Sequence, residues 1–117
     1  MTRVWRLRPR GEFERVRQQG KSWPHRYFVL IVQARTNGSD DPPRIGVVAG
    51  RRLGAAVLRN RIKRQIRAAV LQIYPGLTNG VDLIIIARAP IAAAGVANIA
   101  SALKETLQQA QAWTDEP

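Results

Sequence analysis

Hydrophobic residues recur along this chain at two spacings, and the first of them predicts helices. Between Ala55 and Tyr74, apolar residues repeat at intervals of three and four, which predicts a helix with one buried face that ends at Pro75-Gly76. That stripe consists of Leu58, Ile62, Ile66, Ala69 and Ile73. A second stripe predicts a helix over residues 96–113, burying Val96, Ile99, Ala100, Leu103, Leu107 and Ala110. A short helix is predicted over residues 11–19, ending at Gly20.

The second spacing, alternation rich in β-branched and aromatic residues, predicts strands at 26–35, 44–50 and 81–90. In the first of these, Tyr27, Val29 and Ile31 point to one side and Phe28, Leu30 and Val32 to the other. Because both sides are apolar, we expect both faces of the sheet to be covered.

The connections between these strands predict their pairing. The turn-forming segment TNGSDDPP at 36–43 predicts an antiparallel hairpin between the first two strands. The strand, helix and strand between residues 44 and 88 predict a parallel βαβ unit, which the general rule makes right-handed.

The length of 117 residues suits one domain with a modest core. We therefore take residues 1–117 as a single α+β domain, an α/β sandwich with the element order α-β-β-α-β-α. Residues 1–10 are basic and lack periodicity, so we expect a flexible or loosely docked arm there, and a frayed tail at 114–117.

The composition indicates a polyanionic partner. Nineteen Lys and Arg against eight Asp and Glu give a formal net charge of +11, which favours nucleic acid first and an anionic membrane surface second. The absence of cysteine excludes disulfides, thiolate metal sites and thiol catalysis. No apolar run reaches the roughly 18 residues that span a bilayer, and the N-terminus lacks a signal-peptide block, so we expect a cytoplasmic protein.

The charge is concentrated in GRRLGAAVLRNRIKRQIRAAV, residues 50–70, which holds seven basic residues and no carboxylate. Like charges destabilise a helix, so a partner outside the chain is expected to neutralise them. Most of these cations are arginines, whose planar fork matches phosphate. RNA is favoured over DNA because a strand, not a second helix, follows, and only Asn60 and Gln65 could read bases.

The residue types that carry catalysis are sparse. His25 is the only histidine, Asp40 and Asp41 lie in a turn, and the isolated Asp82 is more often structural. The basic segment offers no acid/base pair and no metal cage, so no catalytic residue and no metal ligand is predicted. The glycines of GRRLG either admit a phosphate at the start of the helix or form a tight turn.

The motif RNRIKRQIR at 59–67, preceded by GRRLGAAVL, closely resembles the signature of the bacterial ribonuclease P protein family. RLRPRGEFERVRQQGKSWPHRYFVL, RIGVVAGRR and DLIIIARAP are similar to further family segments, and together they cover about residues 6–110. The resemblance implies an α/β sandwich with a left-handed βαβ crossover. It also implies a 1:1 complex of a monomeric protein with a catalytic RNA, which removes the 5′ leader of precursor tRNA. Hydrolysis is then done by the RNA and its bound magnesium.

The resemblance also implies two sets of binding residues. Those that dock the catalytic RNA are Arg51, Arg52, Arg59, Asn60, Arg61, Lys63, Arg64 and Arg67. Those that line the leader cleft are Phe13, Arg17, Tyr27, Val29 and Ile31.

Within these sets, some roles stay open. Arg17 and Ile31 replace aromatic residues usual in the family, and Tyr27 is expected to compensate from the same face. Phe13 could equally be a core residue. Asn60 either bonds a sugar or base edge, fixes the preceding turn or simply faces solvent.

Three other functions remain as alternatives. A general or ribosomal RNA-binding protein would have no effect on tRNA processing. A self-contained nuclease would cleave alone with a divalent metal, and the missing carboxylate cluster argues against it. A membrane-surface binder would need large apolar residues beside the basic face, but the stripe from Leu58 to Ile73 is needed for the core.

Overall fold

A mixed sheet with the strand order β1-β4-β5-β3-β2 carries helices on both of its faces. The structure is a computed structural model that describes residues 5–7, 11–35 and 41–114. The strands are β1 (Trp5–Arg6), β2 (Lys21–Pro24), β3 (Phe28–Ala34), β4 (Arg44–Val48) and β5 (Val81–Ala87). The helices are α1 (Gly11–Gln19), α2 (Ala56–Ile73) and α3 (Val96–Gln109), with short 3-10 helices at Arg51–Leu53, Tyr74–Gly76 and Ala89–Ala93. The α+β class and the predicted order of the main elements are confirmed.

The central strand is β5, which pairs antiparallel with β3 and parallel with β4. The predicted hairpin between the strands at 26–35 and 44–50, which are β3 and β4, is therefore wrong, because β5 lies between them. Val81 to Ile85 are all buried, and a strand buried on both faces belongs in the middle of a sheet. The predicted parallel unit of β4, α2 and β5 is confirmed, and the left-handed crossover stays a prediction.

Two strands lie at the edges of the sheet, and the hydrophobic pattern did not predict them. β2 pairs antiparallel with β3, and the two-residue β1 pairs parallel with β4. Leu7 follows β1, donates its backbone N–H to the Ile45 carbonyl at 3.1 Å and is buried. Of the two predicted alternatives, residues 5–7 are thus docked and not flexible, because Leu7 gains a place in the core. The rest of residues 1–10 lies outside the described residues.

The two faces of the sheet bury cores of unequal size. On β3, successive side chains alternate between these two cores, as the sequence pattern predicts. Phe28 and Leu30 pack with α2 and α3, whereas Ile31 packs with α1. Among the described residues, 23 buried side chains form the core on the α2 and α3 face. Between α1 and the sheet, the described residues bury four apolar side chains, and four more pack against them while partly buried: Leu7, Val16, Ile31 and Ile84, with Phe13, Val29, Val48 and Ile86. Helix α1 is therefore held by a smaller apolar core than the one on the opposite face.

The predicted helices are found with nearly the predicted bounds. Ile62, Ile66, Ala69 and Ile73 of the α2 stripe are buried, and Leu58 packs against them. Helix α3 ends four residues before the predicted 113 because the chain reverses at Gln111, whose φ is 58°.

Residues 112–114, which follow α3, form backbone hydrogen bonds with residues 76–78, which follow α2. Trp113 covers Gly76, where a Cβ would overlap the indole ring. The backbone N–H of Thr114 donates to the Gly76 carbonyl at 2.7 Å. The predicted frayed tail is thus anchored at residue 114, and residues 115–117 lie outside the described residues.

Candidate nucleic-acid interface

The solvent face of α2 is a continuous cationic surface. Asn60, Arg61, Arg64 and Arg67 are exposed, while Arg59 and Lys63 flank them at intermediate exposure. Arg59 Nε donates to the Gly54 carbonyl at 3.2 Å, which ties that side chain to the turn before the helix. The other cations of α2 have no ion pair or hydrogen bond within the described residues. Their charges are therefore available to an external anion.

Arg51 and Arg52 extend this surface at the approach to α2. Both lie exposed in the 3-10 helix at Arg51–Leu53. Gly54 follows with a φ of 131°, a conformation that residues with a Cβ rarely adopt, so the turn requires glycine. The eight predicted docking residues therefore lie on one continuous segment, from Arg51 to Arg67. We call the surface that they form the basic surface.

On the opposite face, α1 crosses the sheet above three rows of side chains defined by the strand register. A polar row joins Gln33, Asp82 and Arg44 across β3, β5 and β4. A packed row of Ile31, Ile84 and Gly46 follows, and then a row of Val29, Ile86 and Val48. The last row is only half-buried, so it is the part of this face that α1 leaves open.

The open row and one flank of α1 form a groove, which we call the α1 groove. Its floor is Val29, Ile86 and Val48, and its wall carries Phe13 and, one turn later, the exposed Arg17. The Phe13 ring packs directly on Gly46, where a Cβ would overlap it. Phe13 is thus both a core contact and part of the wall. Arg17 has no ion pair or hydrogen bond within the described residues.

Two of the predicted cleft residues are not in this groove. Ile31 is buried, 6% exposed, beneath Val16 and Gly20, so it supports α1 and presents nothing to a ligand. Tyr27 precedes β3 and packs against the core on the α2 and α3 face, so the prediction that it shares a face with Val29 and Ile31 is wrong. The alternation fails there because residues 25–27 form a turn in which the Tyr27 N–H donates to His25 Nδ1. Val48 and Ile86 were missed, although the alternation on β4 and β5 places them on this face.

The polar row binds α1 to the sheet through a fully buried carboxylate. Asp82 accepts hydrogen bonds from Arg15 on α1 at 2.6 Å and from Arg44 on β4 at 3.0 Å. Arg35 Nε, at the end of β3, lies 3.3 Å from Asp82 Oδ1. Arg15 also donates to Gln33, whose amide donates to Gln19 at 2.7 Å. Arg44 forms a further ion pair with Glu12 at 2.6 Å.

This network shifts two pKa values. Burial alone would raise the pKa of Asp82, but hydrogen bonds from Arg44 and Arg15 and the charges of Arg44 and Arg35 outweigh it and lower that pKa. The hydrogen bond to Asp82 likewise raises the pKa of Arg44. Asp82 is thus ionised in the folded protein, as suits the structural role predicted for it.

Two further features, a metal cluster and a membrane-spanning helix, are not found in the part of the chain that the structure describes. No three His, Cys, Asp or Glu side chains come together in a way that could hold a metal ion. No helix among the described residues is long and apolar enough to span a bilayer.

Comparison with known proteins identifies the family. The model of the family described as Ribonuclease P matches residues 1–111 of the chain. The chain belongs to the ribonuclease P protein family. A ribonuclease P protein component from Herpetosiphon aurantiacus is 42% identical over 116 residues, which cover 98% of this chain and 91% of that protein. One from a Roseiflexus species is 37% identical over 111 residues, or 94% of this chain and 88% of that protein.

Solved structures of ribonuclease P proteins share the fold. The Staphylococcus aureus protein superimposes with a TM-score of 0.79 at 30% identity, covering 95% of this chain and 99% of that one. The Thermotoga maritima protein gives a TM-score of 0.77 at 28% identity, covering 89% and 96%. These similarities cover 95% and 89% of this chain, and the α+β fold implied by the family resemblance is confirmed.

Proposed function

We propose that this chain is the protein subunit of ribonuclease P, and that it assists a catalytic RNA in removing the 5′ leader of precursor tRNA. The observation that carries the proposal is the basic surface, whose exposed cations lack internal partners in the described chain. Family membership supports the ribonuclease P RNA as the partner. Processing of tRNA places the protein in the cytoplasm, and one basic surface suits one protein per RNA.

The basic surface docks the catalytic RNA. Arginine forks on α2 bind phosphates, and the release of condensed counterions drives the association and makes it salt-sensitive. Because Ile62 and Ile66 anchor the opposite side of the helix in the larger core, the cations are presented on a rigid element. Asn60 is the uncharged member of this surface and is suited to a sugar or base edge.

The α1 groove receives the single-stranded leader. Single strands are commonly held by stacking on aromatic rings and by cations that follow the backbone. Here the groove offers one ring, Phe13, and one exposed cation, Arg17, above an aliphatic floor. Contact with the leader therefore relies on phosphate and on the aliphatic surface more than on stacking.

The chemistry belongs to the RNA in this proposal. Magnesium prefers several oxygen ligands, and Asp82 is already surrounded by Arg15, Arg35 and Arg44. The described residues of the interface therefore do not fit a magnesium ion, and we assign the ions to the RNA. The protein contributes binding and positioning of the substrate.

Cleavage of a precursor tRNA with a labelled 5′ leader tests the proposal directly. The reaction is run at low magnesium with a bacterial ribonuclease P RNA alone, with the protein alone, and with both. We expect efficient cleavage at the mature 5′ end only in the mixture. Cleavage by the protein alone would show a protein active site, and a mixture no better than the RNA would favour a general RNA-binding protein.

A further inference from the structure

We infer that Asp82 is a positioning residue for the leader site, because it fixes α1 over the sheet and thereby sets the shape of the α1 groove. The inference rests on the proposed function and goes beyond it, since Asp82 itself is fully buried and touches no ligand. It acts through Arg15, which joins α1 to the central strand.

The first support is the balance of forces on α1. Between α1 and the sheet, the described part of the chain buries four apolar side chains, with four more partly buried around them, far fewer than the 23 buried on the opposite face. The remaining attachment is polar: Glu12, Arg15 and Gln19, spaced three and four residues apart, all bond to the polar row. One edge of the helix is thus held by hydrogen bonds and ion pairs, which are directional, whereas apolar packing is not.

The second support is the position of that edge relative to the groove. The polar row and the open row lie on opposite sides of the packed row, with α1 above all three. The edge with Arg15 is therefore opposite the flank with Phe13 and Arg17. A rotation of α1 about its axis that releases Arg15 would move the Phe13 ring relative to Gly46 and change the width of the groove.

The third support is that Asp82 has other partners besides the one on α1. Asp82 keeps Arg44, with two hydrogen bonds at 3.0 Å, and Arg35 at 3.3 Å. Arg15→Gln therefore cuts α1 from Asp82 without leaving the buried carboxylate unpaired. Arg15→Lys keeps the charge but loses the fork that reaches both Asp82 and Gln33.

The test compares Arg15→Gln, Arg15→Lys and the wild type in the holoenzyme assembled with a ribonuclease P RNA. Lys104→Gln on α3 is the matched control, since it removes one exposed positive charge from the opposite face of the sheet. Two quantities are measured: the ratio of affinities for precursor and mature tRNA, and the affinity of the protein for the RNA. In the free protein, the NMR shift of the Gly46 Hα reports the position of the Phe13 ring through its ring current.

We expect Arg15→Gln to lower the precursor preference about three- to tenfold, with affinity for the RNA within about twofold of Lys104→Gln. The Gly46 Hα shift should move, and Arg15→Lys should fall between Arg15→Gln and the wild type. If the Gly46 Hα shift of Arg15→Gln moved but the precursor preference did not change, the inference would be overturned. It would also be overturned if that shift did not move. A wild-type holoenzyme without any precursor preference would instead refute the leader groove itself, and the positioning role with it.

Discussion

At the scale of single residues, the charges of this protein divide into those used inside the fold and those offered to a partner. Arg15, Arg35 and Arg44 converge on one buried carboxylate, whereas Arg61 and Arg64 have no internal anion within the described residues. The sequence alone does not separate the two groups. Asp82 lies 38 residues from Arg44 and 67 from Arg15, and no local pattern connects positions so far apart.

Asp82→Asn should cost about 3 kcal/mol of unfolding free energy near neutral pH, because three arginines then lose their buried anion. The cost should depend on pH in a defined direction. The folded-state pKa of Asp82 is depressed, so its contribution is complete above the ordinary value of 3.8 and is lost as the pH falls through the folded-state value. Urea unfolding over a pH series that descends from about pH 7 measures this, and a cost that grows as the pH falls below 3.8 would contradict it.

Arg17→Ala should weaken binding of precursor tRNA about fivefold and leave mature tRNA unaffected, as expected for one exposed ionic contact of about 1 kcal/mol. The measurement is equilibrium binding of both tRNAs to the holoenzyme. Gln18→Ala, exposed at the next position of α1, is the control that should change neither. Equal weakening of both tRNAs would remove Arg17 from the leader site.

At the scale of elements, α2 has two faces with separate tasks. Its stripe from Ile62 to Ile73 is buried in the larger core, and its other face carries the cations. This division was predictable, because both the apolar period and the unopposed charge can be counted along one segment. Helices α1 at 11–19 and α2 at 56–73 were predicted nearly to the residue, whereas the end of α3 was predicted four residues too late.

The sheet was predictable only in part, for a physical reason that differs between strands. The segment KSWP forms β2, a four-residue edge strand that is mostly exposed. It therefore lacks the alternation of apolar and polar residues from which a strand is predicted. The pairing of β4 with β5 rather than β3 is a long-range choice that no turn sequence between neighbours encodes. Of the groove, Phe13, Arg17 and Val29 were predicted, but the turn at 25–27 that redirects Tyr27 was not.

Substitutions on the two faces of α2 should have opposite effects. Arg64→Ala should weaken binding to the ribonuclease P RNA and change the unfolding free energy by less than about 0.5 kcal/mol. Arg61→Ala should behave in the same way. Ile66→Ala, at a fully buried position, should cost about 2–5 kcal/mol of stability. RNA titrations and urea unfolding of each variant test this, with the exposed Gln72→Ala as control, and an unfolded Arg64→Ala would contradict the docking face.

At the scale of the whole molecule, the net charge of +11 acts on folding and on binding with opposite signs. Like charges repel within the compact state, so the free protein pays electrostatically for folding. In the proposed complex, the same charges favour association with RNA through counterion release. Salt screens the repulsion within the folded protein and weakens the association with RNA.

Raising the salt from about 0.05 M to about 0.5 M should therefore stabilise the free protein and weaken its complex with RNA. Thermal unfolding of the protein and RNA titrations over the same salt series measure both effects. Arg64→Ala should reduce the slope of log affinity against log salt by about one. If salt changed the stability of the free protein and its affinity for RNA in the same direction, this account would be contradicted.

The sheet between the two layers has a consequence for how this protein can diverge. The basic surface depends on the core beneath α2 and α3, and the α1 groove on a separate, smaller one. Substitutions in α1 therefore leave the packing beneath the basic surface intact. Under the proposed function, a lineage can change which leaders its enzyme prefers by changing a single surface helix, while the partnership with its RNA is inherited unchanged.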